Sequence, residues 1–428
     1  MFSNILSWWK SKLIINVDNP LEASKRMINN IESVVGIRDT FGDEKNKKNF
    51  TIISILSTIV FCGGFIYTGP FSQGVYFFQV LPDKINSFQA MNCFSSTCVP
   101  LSKFILMYCS RTRLSIIMDM SREGLQAIPK GSSAHSTMMK TIQKAGYVSW
   151  LVILNQMFVH VSYLLLPFLM TIFGNNRYLP TTPGGIYGIP SKYESPYYEI
   201  NFIVTTIATT FSGINQTGYI VLFVTLVGNE LGHFYAICET LNDIHKILYN
   251  NTQHNEEERN NCADSKQTTA LSDSAFAEDK HKKIDNMLRF CVKHQQFLFR
   301  YHEKICELYK VIFGAHFLIM IIVLVTTLQT MNSWGLMNTI LTGVTGTMPL
   351  IVYCFGGELL LTAGSDMSYG IYSCGWEAME IKHSRMVQLM LCMSQHPLCY
   401  TAAGIFIMNH DTFGNVVQVI YKIYAVFN

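Results

Sequence analysis

No Asp, Glu, Lys or Arg interrupts the sequence VIFGAHFLIMIIVLVTTLQTMNSWGLMNTILTGVTGTMPLIVYCFGG, residues Val311–Gly357. A helix that crosses a lipid bilayer needs roughly 20 predominantly apolar residues, so this stretch is long enough for two crossings. Its centre, TMNSWGLMN (Thr330–Asn338), supplies a turn between the two. The stretch therefore predicts a pair of membrane-spanning helices and makes lipid the solvent for much of the chain.

The composition and the other uncharged runs agree with a membrane protein. Charged residues make up 14% of the chain and hydrophobic residues 49%, whereas soluble domains carry about 25% charged residues. Three further uncharged runs each fit one span: Phe50–Pro82, Ala145–Asn176 and Ile200–Asn229. A weaker sixth candidate, Ile85–Cys109, contains Lys103, and the short C-terminal segment Asp411–Asn428 is the seventh. The net charge of +3 gives no indication of nucleic acid binding.

The distribution of Lys and Arg predicts the orientation of these spans, because cytosolic connections are enriched in both residues. Residues 1–50 hold eight, 110–146 hold six and 231–310 hold eleven. The alternate connections 70–84, 174–199 and 328–338 hold one, two and none. The sequence thus predicts an all-α, polytopic membrane protein with seven transmembrane helices, a cytosolic N-terminus and an extracellular C-terminus.

Helical periodicity continues beyond the predicted spans on both sides of a polar stretch, Asn250–Lys280, which we expect to be a flexible loop. The positions that mark the two mostly apolar helix faces are Leu231, Phe234, Cys238, Leu241, His245 and Leu248, then Ile284, Met287, Cys291, Leu298, Tyr301, Ile305, Leu308 and Ile312. An amphipathic helix buries such a stripe against partners, so these extensions predict a cytosolic helical anchor body. The predicted divisions are a cytosolic N-terminal segment (1–49), spans one to four (50–230), helix extensions with the loop (231–310), spans five and six (311–365), and an anchor helix followed by the last span (376–428).

No pattern in the sequence indicates an enzyme. G-x-S-x-G, H-E-x-x-H and a phosphate-binding glycine loop are absent, and the cysteines lack metal-like spacing, so we expect no catalysis, cofactor or metal. The outer half of the predicted membrane domain instead combines aromatic, methionine and hydroxyl side chains. They suit a mostly apolar pocket for a small volatile or lipophilic ligand, or they serve only in packing and lipid contact. The expected lining residues are Phe88, Met91, Phe94, Phe158, Tyr163, Phe202, Thr206, Phe211, Trp334, Met337 and Thr342.

The predicted outer connection between spans three and four, NNRYLPTTPGGIYGIPSKYESPY (Asn175–Tyr197), contains four prolines. Proline fixes the backbone φ angle, so the conformation of this segment is restricted. The segment is either a lid over the membrane domain or an ordinary exposed loop.

The last predicted helix carries a polar stripe formed by Asp411, Asn415, Gln418 and Lys422, which are spaced four, three and four residues apart. Polar residues in a membrane span usually face the bundle interior or water. A single short helix cannot enclose a conduit, whereas several copies around a symmetry axis can. The stripe is therefore either a water-facing wall of a channel or a contact between subunits.

The C-terminal third of the chain resembles the insect odorant receptor family. The matching motifs are Tyr353-Cys354, Gly357-Glu358, Trp376, Pro397 with Thr401–Gly404, and Thr412-Phe413. The resemblance implies a ligand-gated, non-selective cation channel in the plasma membrane of a sensory neuron, with membrane lipid around it. It further implies that an odorant small molecule binds in the outer half of the membrane domain. Four subunits, this chain and a shared co-receptor among them, would surround one pore lined by the last helix of each.

The resemblance also implies which residues face the pore. Carried over by position, they are Val417, Ile420 or Tyr421, Tyr424 and Asn428. The family's usual ending, Tyr-Ser-Tyr-Phe-Thr, is replaced by Tyr421-Lys422-Ile423-Tyr424-Ala425 in this chain. The polar stripe lies on a different helix face from this set, so either it contacts neighbouring helices or the register shifts by a residue or two.

Three other classes compete with this interpretation. A gustatory-type channel shares the same architecture, and ligand tests are needed to exclude it. A seven-span receptor coupled to G proteins requires an extracellular N-terminus, which the distribution of basic residues opposes. A carrier or membrane enzyme requires carboxylates or metal ligands in the middle of the membrane, and these are scarce in the sequence.

Overall fold

The computed structural model describes residues 63–174, 177, 179, 184–189, 193–261, 269–334 and 336–427. Side chains at 108, 111, 211, 250–261, 269–277, 334, 336 and 337 are not part of this description. The predicted N-terminal segment 1–49, the first half of the first span and Asn428 lie outside the described residues.

The described chain is almost entirely helical. After a π-helical turn at Tyr67–Phe71 and before the strands, the helices are α1 (Ser72–Val80), α2 (Lys84–Cys109), α3 (Arg111–Ala127), α4 (Ser133–Phe173), α5 (Tyr197–Asn261), α6 (Thr269–Gln329), α7 (Met331–Trp334), α8 (Leu336–Tyr372) and α9 (Ile381–Ser394). An antiparallel hairpin of β1 (Thr401–Ala402) and β2 (Phe406–Ile407) then leads into α10 (His410–Phe427). The all-α prediction is confirmed.

Four helices within the described residues are long and apolar enough to cross a membrane. The candidate spans are Ser133–Phe173, Tyr197–Tyr249, Glu278–Gln329 and Asn338–Ala378. They correspond to α4, α5, α6 and α8, the helices that the uncharged runs Ala145–Asn176, Ile200–Asn229 and Val311–Gly357 predict. At about 1.5 Å per residue, each exceeds the roughly 30 Å of a bilayer core, so each continues beyond the lipid.

Helix α5 is the centre of the bundle. In α5, 94% of the most apolar 18-residue segment is buried inside the protein, whereas in α4 the corresponding share is 22%. Phe223 of α5 makes edge-to-face ring contacts with Tyr309, Phe313, Tyr353 and Tyr400, at centroid distances of 5.1–5.5 Å. Such pairs contribute about 0.5–1.5 kcal/mol each beyond the area that they bury. This cluster joins α5 to α6, α8 and the segment that precedes β1.

The two apolar stripes that the sequence predicts in 231–310 are buried in one continuous core. Phe234 and Leu241 of α5 and Leu298 and Ile305 of α6 are at most 1% exposed. Helices α3 and α9 pack against α6, and α9 also packs against α8. These elements form one packed helical region around residues 231–248 of α5 and 284–312 of α6, and we call it the anchor body.

The helices extend further than the sequence predicts. Helix α5 continues to Asn261 and α6 begins at Thr269, so the predicted loop at 250–280 is mostly helical. The segment contains neither proline nor glycine, the residues that most strongly end a helix, and polarity alone does not. Helix α8 likewise ends at Tyr372, beyond the predicted boundary at 365.

A buried polar network links α5, α6 and the residue before β1. The carboxylate of Glu230 accepts a hydrogen bond from Nδ1 of His302 at 2.7 Å and another from the Tyr400 hydroxyl. Glu230 and Tyr400 are fully buried. A buried carboxylate is tolerated only where hydrogen bonds or a counter-charge compensate its desolvation. The network therefore ties the residue before β1 to α5 and α6.

Candidate functional site

A cavity of about 310 Å³ lies between α2, α4, α5, α6 and α8. Its wall is mixed, with aliphatic and aromatic surface interrupted by hydroxyl, amide and imidazole groups. The lining residues used below are Gln73, Asn92, Ser96, His160, Tyr163, Thr205, Ala208, Thr209, Gln216, Thr342 and Thr345. No Asp, Glu, Lys or Arg lines the cavity in the described part of the chain. The site can therefore hold a small neutral molecule by shape and a few hydrogen bonds.

The connection between α4 and α5 covers one side of this cavity. The Tyr67 hydroxyl donates to the carbonyl oxygen of Tyr187 at 2.8 Å, and the amide N–H of Ile186 donates to Asn201 Oδ1 at 3.3 Å. Ile186 is buried, and Leu179 and Tyr193 line the cavity. Of the two alternatives for this connection, the described residues favour the lid.

The residues predicted to contact a ligand fall into three groups. Tyr163 and Thr342 line the cavity, and their hydroxyl groups are hydrogen-bonded to each other across α4 and α8. The second group, which does not line the cavity, is Phe88, Met91, Phe94, Phe158, Phe202 and Thr206. The third group has side chains outside the described residues and consists of Phe211, Trp334 and Met337.

The second group lies on other faces of the same helices. Phe158 is 70% exposed on the outer surface of α4. Phe88 packs edge-to-face on Phe427 of α10 at 5.9 Å, and Phe202 contacts the rings of Phe168 and Tyr198. These aromatics join helices to one another or face the lipid side, because both faces of a membrane helix are apolar.

Several polar cavity residues were not predicted as ligand contacts. Asn92 Nδ2 lies 2.9 Å from the Val323 carbonyl oxygen and 2.8 Å from Thr327 Oγ1, which joins α2 to α6. Nε2 of His160 lies 2.6 Å from the Thr209 carbonyl oxygen, which joins α4 to α5. The signal that indicates such positions is a polar side chain inside an uncharged run, since these seldom face lipid.

A second buried polar cluster lies one to two helical turns along the same helices from the cavity. Nζ of Lys103 is 5.3 Å from the centre of the Tyr353 ring, and the His316 ring packs edge-to-face on Tyr353 at 5.2 Å. Lys103 Nζ, both His316 ring nitrogens and the Tyr353 hydroxyl have no hydrogen-bond partner among the described residues. Burial of an amine without a partner is costly, so this layer lowers the stability of the bundle.

Two residues of the Gly-Glu motif determine where α10 starts. A Cβ atom at Gly357 would overlap the carbonyl oxygen of Met408, so glycine allows the chain between β2 and α10 to lie against α8. The carboxylate of Glu358 accepts a hydrogen bond from the His410 backbone N–H at 3.2 Å, and Asn409 Oδ1 accepts one from the Thr412 N–H at 2.9 Å. Both bonds satisfy free donors in the first turn of α10.

The far end of α10 is held by two side chains from other helices. Lys84 Nζ donates to the Phe427 carbonyl oxygen at 2.9 Å, and Gln329 Nε2 donates to that of Tyr424 at 3.1 Å. Val416 and Ile420 are buried against the subunit's own core. The helix is therefore fixed along its length on one face.

The predicted pore residues lie on different faces of α10. Val417 and Tyr421 are 48% and 68% exposed, Tyr424 is half-buried, and Asn428 lies outside the described residues. The sequence leaves Ile420 or Tyr421 as the pore-facing residue, and the burial of Ile420 favours Tyr421. The polar stripe, defined above by its four residues, is exposed on the face opposite Val416 and Ile420.

One group of possible metal ligands lies in the anchor body. Ligand atoms of His281, Glu380 and His383 all lie within 4.8 Å of one another. Nε2 of His383 lies 3.2 Å from the Asp285 carboxylate. The same carboxylate forms ion pairs with Arg289 and Lys382. These neighbouring cations disfavour a metal ion, and we interpret the group as part of an ion-pair network between α6 and α9.

The fold and this arrangement agree with comparisons to known proteins. A sequence model of the 7tm Odorant receptor family matches residues 85–421. The chain belongs to the odorant receptor family and is a helical membrane protein.

Individual relatives show how far the likeness extends. Odorant receptor 10a of Drosophila melanogaster is 24% identical over 342 residues, covering 76% of this chain and 77% of the relative. The insect olfactory receptor OR5 from Machilis hrabei matches with a TM-score of 0.71 at 14% identity, covering 96% of this chain and 99% of that one. The same receptor in complex with eugenol matches with a TM-score of 0.68 at 14% identity, covering 95% and 99%. At these identities the structural likeness supports the fold.

Proposed function

We propose that this chain is a subunit of a ligand-gated, non-selective cation channel that an odorant opens. The observation that carries the ligand-binding part is the cavity of about 310 Å³ with an uncharged, mixed wall. Its volume is at the lower end of the range for small-molecule sites. A volatile compound is a ligand of matching size and polarity, and the olfactory receptor OR5 has been solved in complex with eugenol.

The proposed topology has seven membrane crossings. α4, α5, α6 and α8 supply four of them, and the segment before and including α1, α2 and α10 supplies the other three. The N-terminus and the anchor body then lie in the cytosol and the C-terminus lies outside, as the basic residues predict. The plasma membrane of a sensory neuron is the proposed location.

The proposed pore is formed by α10 together with its counterparts from other subunits. One face of α10 is fixed on its own subunit through Val416 and Ile420, and the remaining faces expose Val417, Tyr421 and the polar stripe among the described residues. A single copy encloses nothing, so the function requires an assembly, and we propose a tetramer with the co-receptor subunit. Aromatic and aliphatic side chains at a constriction gate a pore by excluding water.

The test of ligand binding is to fill the cavity. Ala208 lines it on α5 and is 7% exposed, and Ala208→Phe would occupy the space of a ligand. In cells that also express a co-receptor, we expect this variant to reach the surface and to lose volatile-evoked current. Ile207→Phe, on the outward face of the same helix turn, is the matched control and should respond like the parent chain. Equal responses from both variants would place the ligand elsewhere.

A further inference from the structure

The orientation of one imidazole ring in the cavity determines which of its nitrogens is available to a ligand. Nε2 of His160 lies 2.6 Å from the carbonyl oxygen of Thr209. A carbonyl oxygen only accepts, so Nε2 carries the hydrogen atom and donates it. No carboxylate lines the cavity in the described chain, which leaves an additional proton on the ring uncompensated. The neutral ring therefore presents Nδ1 as a hydrogen-bond acceptor.

This acceptor is buried and unused. Nδ1 of His160 has no hydrogen-bond partner among the described residues. The ring packs against the backbone of α5, in the space that a Cβ atom at Gly213 would need. An acceptor held in this way costs free energy in the empty cavity, and a ligand that donates a hydrogen bond to it recovers that cost.

A second acceptor and two adaptable hydroxyl groups share the wall. Gln73 donates through Nε2 to the Gly185 carbonyl oxygen at 3.4 Å, which leaves its buried Oε1 without a partner among the described residues. Ser96 Oγ and Thr205 Oγ1 are also buried without a hydrogen-bond partner among the described residues. A hydroxyl group can donate or accept a hydrogen bond.

Two of the side-chain amide donors on the wall are engaged elsewhere. Asn92 Nδ2 contacts α6, and Gln216 Nε2 donates to the Thr345 carbonyl oxygen at 3.4 Å. The described wall thus offers fixed acceptors in His160 and Gln73, and the amide donors of Asn92 and Gln216 are occupied. A ligand that matches this pattern contributes the hydrogen atom itself.

We propose that the cavity selects small alcohols and phenols over ethers and hydrocarbons of the same shape, with Nδ1 of His160 accepting the ligand hydroxyl. The proposal rests on the proposed function, because it assigns the chemistry of that same ligand site. An ether oxygen only accepts, so it leaves Nδ1 of His160 and Oε1 of Gln73 unpaired. One neutral hydrogen bond corresponds to a preference of roughly three- to tenfold in half-maximal concentration.

The experiment compares matched ligand pairs in the parent chain and in variants. Each pair is an alkylphenol or linear alcohol and its methyl ether, applied to cells that express the chain with a co-receptor subunit. In the parent chain, we expect the hydroxyl member to act at a roughly three- to tenfold lower concentration. His160→Phe keeps a ring of similar size but removes the acceptor, so the two members should become equal in potency.

Two further variants separate recognition from folding. His160→Gln retains an acceptor oxygen and should keep part of the preference, which gives a second measurement if the phenylalanine variant fails to reach the surface. Phe158 lies on the outward face of the same helix, so Phe158→Leu should leave the preference for the hydroxyl member intact. Equal potency of the two members in the parent chain would overturn the proposal, as would a uniform shift of both in His160→Phe.

A measurement of ligand binding without current distinguishes failure of this inference from failure of the proposed channel function. Thermal unfolding of the purified, detergent-solubilised chain measures stabilisation by the same pairs without any current. Greater stabilisation by the hydroxyl member, abolished in His160→Phe, supports the acceptor role even where no current flows. Stabilisation that is equal for both members, alongside a measurable current, overturns this inference and leaves the proposed function standing.

Discussion

Gly357 on α8 lies where the chain between β2 and α10 comes closest to another helix. A methyl group at this position would overlap the Met408 carbonyl oxygen, and backbone cannot move aside as a flexible side chain does. The residue thus connects a sequence motif to the placement of the last helix.

We predict that Gly357→Ala displaces the start of α10 and strongly reduces ligand-evoked current. Gly364→Ala is the matched control, because it lies on the same helix with no atom within 4 Å of the added Cβ. Alanine favours a helix interior over glycine by about 1 kcal/mol, so the control should be neutral or slightly stabilised. Recordings normalised to surface expression measure the difference, and equal currents would contradict the account.

Tyr163 and Thr342 form a hydroxyl pair across the cavity between α4 and α8. We predict that Tyr163→Phe changes the rank order of volatile ligands and leaves the reversal potential of the current unaltered, because it modifies the binding wall and not the pore. Thr347→Val serves as control, since its hydroxyl bonds within α8 to the Gly343 carbonyl oxygen and does not line the cavity. A changed reversal potential with an intact rank order would reverse this assignment.

At the scale of single helices, α2 carries an unpaired buried amine within a membrane bundle. Lys103 is 1% exposed, and its Nζ lacks a hydrogen-bond partner among the described residues. We predict that Lys103→Met raises the thermal unfolding midpoint of the solubilised protein, because methionine fills similar space without a polar group to desolvate. Lys140→Met, at an exposed site on α4, should leave the midpoint unchanged. A lower midpoint for the Lys103 variant would mean that the amine has a stabilising partner.

Neighbouring positions on α10 should separate stability from conduction. Ile420 packs in the subunit core, so Ile420→Ala should lower stability by about 2–5 kcal/mol. Tyr421 is exposed in the subunit, and we predict that Tyr421→Ala alters ion selectivity or basal leak without a comparable loss of stability. Val426→Ala, exposed on another face, is the control for surface effects. Unchanged permeation in the Tyr421 variant would move the pore to the polar stripe.

At the scale of the whole molecule, the sequence predicts the bundle better than it predicts the cavity. Uncharged runs identify α4, α5, α6 and α8, because lipid excludes charge along an entire span. The same principle says little about rotation around a helix axis, since the lipid-facing and protein-facing sides are both apolar. Tyr163 therefore lines the cavity, whereas Phe158, chosen by the same reasoning, lies on the outer surface.

Polar residues inside the spans carry more information than aromatic ones. His160 and Gln216 stand in uncharged runs, and both reach the cavity. Their partners on other helices, such as the Thr209 carbonyl oxygen, are set by tertiary packing that no local pattern encodes. The extended helices at 250–280 show a similar limit, because composition there indicates solvent exposure and not the absence of a helix.

Ionic current under a volatile stimulus is the most direct test of the central claim that ligand binding in the cavity opens a cation pore. The measurement is whole-cell recording from cells that express this chain with a co-receptor, first in sodium and then with sodium replaced by a large impermeant cation. The account predicts an inward current that the volatile evokes, that falls on sodium replacement, and that Ala208→Phe abolishes. Absence of any current, from a chain that is at the cell surface and still stabilised by the ligand, would contradict it.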